Sequence, residues 1–204
     1  MFDSPTRNRR AERHEATKAE ILEAAWELAR TEGLAALSLR DVARRVGMQA
    51  PSLYSYFDSK HAIYDAMFAQ GAQEFVERDR QVAATGEPLR DLQAGMRSFI
   101  EFCTEDSARY QLLFQRTIPG FEPSPESFAI AVAGLQATVA RLARIGIDEP
   151  RVLDLLTAIG TGLADQQISN DPGGDRWLRL VDEAMEMLFD HVTKMKSTKG
   201  RARS

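Results

Sequence analysis

Apolar residues recur every three to four positions along almost the whole chain. Ile21, Leu22, Ala25, Leu28 and Ala29 set the pattern, which is the period of an amphipathic helix. Gly33 suits the left-handed residue that closes such a helix. Ser38 opens a second helix in SLRD, with Asp41 three residues on as its capping partner. Leu39, Val42, Ala43 and Val46 form its inner face, and Gly47 ends it. A short third helix is expected over residues 50–57, with Pro51 in the first turn, where a missing N–H costs little. Ser59 then caps a fourth helix whose inner face is Ile63, Tyr64, Met67, Phe68, Ala72, Phe75 and Val76.

The second half continues in the same way. Pro88 follows a Thr-Gly-Glu break and starts a helix with Leu89, Leu92, Met96, Phe99, Ile100 and Cys103 on one face. A short helical segment is expected over 107–116, then the loop IPGFEPSP. Ser124-Pro125 begins a long helix to about residue 145. Gly146 and Pro150 precede a helix carrying Val152, Leu155, Leu156, Ile159 and Leu163. NDPGGD (170–175) separates it from a last helix with Trp177, Leu180, Val181, Ala184, Met185, Leu188, Phe189 and Val192 in register. No segment alternates with the period of a half-buried strand. The fold class predicted is all-α.

Charge adds one distinction. The chain of 204 residues carries a net −4, but residues 1–60 hold 10 Lys/Arg against 9 Asp/Glu, so the acidity lies further on. A local basic face, not the total, steers a protein toward phosphates. Arg7, Arg9, Arg10 and Arg13 form a basic arm ahead of the first helix, compatible with plain disorder or with a minor-groove contact. The tail KMKSTKGRARS has five basic residues, no acidic ones, and is expected to be disordered. The single cysteine, Cys103, allows no internal disulfide. No stretch is apolar enough to span a membrane, the N-terminus has no apolar signal core, and the expected compartment is cytoplasmic.

The segment SLRDVARRVGMQAPSLYSYFDSK (38–60) places two short helices around a Gly-containing turn, the helix-turn-helix arrangement. In that arrangement the first helix braces the second, which enters the major groove of DNA, where each base pair shows its own donors and acceptors. Gln49, Ala50, Pro51, Ser52, Tyr54, Ser55 and Tyr56 are the outward candidates. On pattern alone Tyr54 and Tyr56 also fit a core, and Phe57 fits a core best. The three histidines are far apart, no phosphate loop occurs, and no nucleophile has a matched base. An enzyme is therefore not expected, and neither is a metal or cofactor. An all-helical protein that binds small molecules or partners without reading DNA remains the alternative; outward Tyr54, Tyr56 and Lys60 would then have no role.

Residues 18–63 resemble the TetR family of transcription regulators, whose pattern appears here as SLRDVARRVGMQAPSLYSYFDSKHAI. The resemblance implies a three-helix DNA-binding domain (15–62) after a flexible arm (1–14). A helical domain for effector binding and dimerisation (63–195) and a basic tail (196–204) would follow. It implies a homodimer on a palindromic double-stranded operator, acting by default as a repressor and released by an unidentified, mostly apolar effector. Gln49, Ala50, Pro51, Ser52, Tyr54 and Tyr56 would face the operator. Tyr54, Lys60 and Lys18 would hold phosphates, and Arg40 and Arg44 would flank the backbone. Gln49 departs from the usual Ser or Thr, so a weaker cap is expected on the reading helix. Met67, Phe68, Met96, Phe99, Phe102, Cys103, Tyr110 and Phe114 are candidate cavity residues, with Gln166 as a polar contact. Leu156, Ile159, Leu163, Trp177, Val181, Met185 and Leu188 are candidate dimer contacts. The same faces are compatible with covering the chain's own core.

Overall fold

The computed structural model describes residues 9–201, so Arg7 of the basic arm lies outside the described residues. Nine α-helices follow one another, and no strand occurs among those residues. The helices are α1 (Arg9–Glu32), α2 (Leu39–Arg45), α3 (Ala50–Leu53), α4 (Lys60–Gln81), α5 (Pro88–Glu105), α6 (Ser107–Phe114), α7 (Pro125–Arg144), α8 (Pro150–Asn170) and α9 (Val181–Arg201). Their starts follow the expected chemistry. The hydroxyls of Ser38, Ser59 and Ser124 accept from the backbone N–H of Asp41, Ala62 and Ser127. Pro88, Pro125 and Pro150 occupy first turns, where their missing N–H leaves no bond unmade.

Three expectations need correction. α3 ends at Leu53, and residues 54–56 form turns. Gln49 provides no side-chain cap, and the hydroxyl of Ser55 turns back to the Ser52 carbonyl, so little holds a longer helix together. The last helix begins at Val181, after a 3₁₀ turn at Leu178–Leu180. It also runs on to Arg201, into the segment expected to be disordered. Adding turns to an anchored helix is far easier than nucleating one.

Two apolar clusters make the core. The first gathers Ile21, Ala25, Trp26 and Leu28 of α1 with Val42, Ala43, Leu53 and Phe57. It does not stop at residue 62. Ile63, Tyr64, Met67 and Phe68 of α4 and Ala108 and Leu112 of α6 complete it. The helix-turn-helix has only seven and four residues in its two helices. That is too little apolar surface for a closed core, so the first half of α4 lies across it. The second cluster joins α5, α8 and α9 through Met96, Ile100, Phe102, Val152, Leu156, Val181, Met185 and Leu188.

α4 thus belongs to both halves. α7 is latched to it at both ends. At one end the Asp65 carboxylate accepts the Ser124 N–H (2.6 Å) and the hydroxyls of Ser124 (2.9 Å) and Ser127 (2.8 Å). At the other, Arg141 pairs with Asp79 at 2.6 Å. Between them Gly134 lets the helices close up, since a Cβ there would stand 2.7 Å from Val76 Cγ2. Arg30 of α1 reaches Asp106 at 2.8 Å, tying the first helix to the start of α6.

Candidate nucleic-acid interface and interior cavity

The helix-turn-helix is built from its buried side outward. Val42, Ala43 and Leu53 are essentially inaccessible, which fixes how α2 crosses α3. Gly47, at φ 70°, makes the turn in a backbone region that only glycine enters freely. Met48 N–H then closes onto the Ala43 carbonyl at 2.8 Å. This geometry leaves Gln49, Pro51, Ser52, Tyr54 and Ser55 exposed on one side, with Ala50 and Tyr56 half-buried at its edge. Tyr54 is 54% exposed, on a segment whose other face is buried.

The flanking cations are less uniform. Arg40 is exposed. Arg44, also exposed, reaches Asp41 at 2.7 Å. Lys60 is half-buried; its ammonium donates to the Ala35 carbonyl at 3.0 Å and stands 5.3 Å from the Tyr64 ring centre. Lys18 stands 6.0 Å from the Phe57 ring centre. A further residue escaped sequence reasoning: His14 stacks on Tyr56, with ring centres 4.6 Å apart and planes 19° from parallel. The two are 42 positions apart in the chain, so no local signal announces the contact.

The second half encloses a cavity of about 730 Å³, within the range of small-molecule sites. Its walls come from α4 (Phe68, Phe75, Asp79), α5 (Met96, Phe99) and the end of α6 (Phe114). The 115–123 connection, α7 (Phe128, Leu135, Arg141) and α8 (Leu156, Thr157, Thr161) complete them. The α4 residues from Phe68 to Asp79 extend roughly 16 Å along the helix axis at 1.5 Å per residue. Aliphatic and aromatic side chains make most of the lining, with Phe75, Phe99 and Phe114 in mutual edge-to-face contact. Gly160 admits α5 side chains where a Cβ would meet Met96 Sδ at 2.9 Å and Phe99 Cε1 at 3.1 Å. One polar stretch of the wall is the Asp79–Arg141 pair with Thr138, whose hydroxyl lies 3.3 Å from Asp79; Asp91, Arg116, Glu122 and Asp154 also line the cavity.

Of the candidate cavity residues, Phe68, Met96, Phe99 and Phe114 line it. The others are placed elsewhere. Met67 is buried in the first core. Phe102 is packed under the Arg109 guanidinium, 3.9 Å from its ring centre. Cys103 is buried, and burial pushes its thiol pKa up. Tyr110 points its hydroxyl to Asp165 at 2.9 Å; burial first, then that carboxylate, push the phenol's pKa up. Gln166 is exposed and accepts from Asn170. The physical reason is common to all five: each lies on an apolar or polar stripe, but that stripe faces a neighbouring helix or solvent rather than the gap. Phe121, Phe128 and Leu135, which do line the gap, sit in a loop and on a helix face with no distinctive spacing.

The dimer candidates also divide. Leu156, Val181, Met185 and Leu188 are buried in the chain's own second core, because the inner stripes of α8 and α9 are used up against α5. Ile159, Leu163 and Trp177 are half-buried. The apolar side chains left outside on these elements are Leu155, Leu180 and Met187, the last 68% exposed. Gly162 has nothing near its position.

Residues 21–67 match the model for bacterial regulatory proteins of the tetR family. The chain is 32% identical over 111 residues to the HTH-type transcriptional activator FasR of Mycolicibacterium smegmatis, covering 53% of this chain and 51% of that protein. It is 26% identical over 124 residues to the HTH-type transcriptional regulator Mb1846 of Mycobacterium bovis, covering 59% and 53%. The chain spans about half the length of these curated relatives. Among solved structures, the regulatory protein SCO4313 superposes with a TM-score of 0.71 at 22% identity, over 87% of this chain and 97% of that one. FadR from Bacillus subtilis, in complex with stearoyl-CoA, superposes with a TM-score of 0.62 at 17% identity, over 83% and 96%. At these identities the likeness to solved structures is one of fold.

Proposed function

We propose that the chain is a DNA-binding transcription regulator of the TetR family, that it reads an operator through Gln49–Tyr56 as a homodimer, and that it is released by an elongated, mostly apolar ligand. The observation that carries the reading is the exposed face of Gln49, Ser52 and Tyr54 on a segment whose other face is locked into the core. Phosphates fix such a unit on the duplex, and base edges specify the site. Arg40, Arg44 and the ends of Lys18 and Lys60 supply the backbone contacts in this proposal. The working division is a DNA-reading unit over 15–62, braced by the first half of α4, and an effector unit from there to about 195.

Gel-shift and anisotropy titrations on DNA upstream of the chain's own gene test it. Wild type is expected to prefer an imperfect palindrome over random duplex, with affinity falling as salt rises. Tyr54→Ala is expected to weaken operator binding by about tenfold or more, which corresponds to ~1.4 kcal/mol. Equal, weak binding of both proteins to every sequence would sink the operator reading. Activator and repressor use the same DNA contact, and FasR is named an activator, so a promoter-driven reporter decides the direction of control.

Dimerisation is proposed through the outward faces of α8, α9 and the 3₁₀ turn between them, with Leu155, Leu180 and Met187 at its centre. Two helices from each subunit meeting on a two-fold axis form a self-complementary bundle. Met187→Asp is expected to give a monomer in analytical ultracentrifugation and to lose operator affinity with it. A variant that stays dimeric would move the interface elsewhere.

For the ligand, the cavity's mostly apolar walls and roughly 16 Å run along α4 suit an extended chain with one polar end near Arg141. The stearoyl-CoA complex of FadR makes long acyl compounds the first probes. Bound ligand should raise the thermal midpoint, by mass action on the folded state. No stabilisation by stearoyl-CoA, palmitate or a broad apolar library would count against an open effector site.

A further inference from the structure

The first three turns of α1 lie outside the core, because its buried residues begin at Ile21. Their charges are not mixed evenly. At about 100° per residue, Arg9, Arg10, Arg13, His14 and Lys18 fall within one half of the helix, with Glu20 near its edge, and Glu12 and Glu15 on the other. His14 sits within that basic half, and it is the residue stacked on Tyr56. Arg10 lies one turn before it on the same face, with Lys18 one turn after and Thr17 beside it. The stack therefore turns the basic face toward the side that carries Tyr54 and Tyr56, and the exposed Arg9, Arg10 and Arg13 extend that side beyond the helix-turn-helix. A rigid helix pinned by an aromatic contact holds these charges in one direction, which a disordered arm would not.

We propose that the basic face of α1, aimed by the His14–Tyr56 stack, is a second DNA-contacting surface that grips the phosphate backbone flanking the operator. It rests on the operator reading above. The partner is duplex DNA of any sequence, because guanidinium groups on an exposed helix face recognise phosphate charge and carry no base information.

The test compares wild type, a triple variant (Arg9→Ala, Arg10→Ala, Arg13→Ala) and His14→Ala, all as full chains, by anisotropy on upstream operator DNA and on a random duplex at several salt concentrations. All four sites precede the first core residue, and unchanged thermal midpoints verify the fold. Each phosphate contact contributes about 0.9 to the slope of log affinity against log salt. The triple variant is expected to lose about 10–100-fold in affinity on both duplexes at low salt and to show a salt slope shallower by about 2–5, with its operator-to-random ratio unchanged. His14→Ala is expected to move the slope in the same direction by a smaller amount, through loss of aim. If wild type binds DNA and the triple variant matches it in affinity and slope, the second surface is overturned and the operator reading stands. If the triple variant instead loses preference for the operator, α1 reads bases and the proposal is equally overturned. If wild type itself shows no salt-dependent preference for operator DNA, the reading beneath both fails.

Discussion

Tyr64→Ala is expected to cost about 3–5 kcal/mol, the range for emptying a fully buried aromatic site. Tyr64 is completely inaccessible. Its hydroxyl donates to the Leu34 carbonyl, in the 3₁₀ turn between α1 and α2, and its ring packs 5.5 Å from that of Phe121. Phe121 lines the cavity. One side chain thus joins the helix-turn-helix support to the loop that borders the cavity. For a chain of this size each kcal/mol is worth about 2–4 °C, so the midpoint should fall by roughly 6–20 °C. Tyr64→Phe keeps the packing and leaves the Leu34 carbonyl with only the Leu37 N–H at 3.3 Å, at a cost of about 0.5–1.5 kcal/mol. Urea denaturation of both variants separates the two contributions. A Tyr64→Ala chain within about 1 kcal/mol of wild type would show that the packing here carries little of the stability.

Asp65→Ala, one residue along, is expected to cost about 2–3 kcal/mol, because a carboxylate accepting several hydrogen bonds is lost and their donors are left short of partners. Ser127 is only 6% exposed, so water replaces its lost bond poorly. The midpoint should fall by roughly 4–12 °C. The damage should be local first: hydrogen exchange should quicken in the first turns of α7 before it does in α1 or α5, since α7 keeps its second latch at Asp79–Arg141. Asp65→Asn, which retains one acceptor oxygen, should lose about half as much. Uniform acceleration across the chain, or none, would contradict the idea that this carboxylate anchors α7 specifically. The wall of the cavity formed by Phe128 and Leu135 hangs on that anchor.

How the two residues divide their roles was not visible in the chain. Tyr64 and Asp65 sit side by side in an apolar helix pattern, yet one enters the core beneath the helix-turn-helix and the other holds α7. The periodicity assigned Ile63, Tyr64, Met67 and Phe68 to an inner face without saying which core they enter. The same limit explains the cavity. Phe99 and Phe102 are one turn apart on α5, and only Phe99 reaches the gap, because Phe102 is covered by Arg109.

The sequence by itself determined what depends on neighbours within one helical turn. The caps at Ser38, Ser59 and Ser124, the glycine turn at Gly47, the weak cap at Gln49 and the helix-turn-helix they build all rest on contacts between residues a few positions apart, so spacing and residue type suffice. Tertiary structure alone decided which apolar stripe meets a helix, a cavity or solvent. It buried Leu156, Val181, Met185 and Leu188 inside the subunit, left Met187 outside, and set His14 against Tyr56. An apolar stripe records that a face is hidden from water; what hides it is settled only when distant helices compete for the same surface.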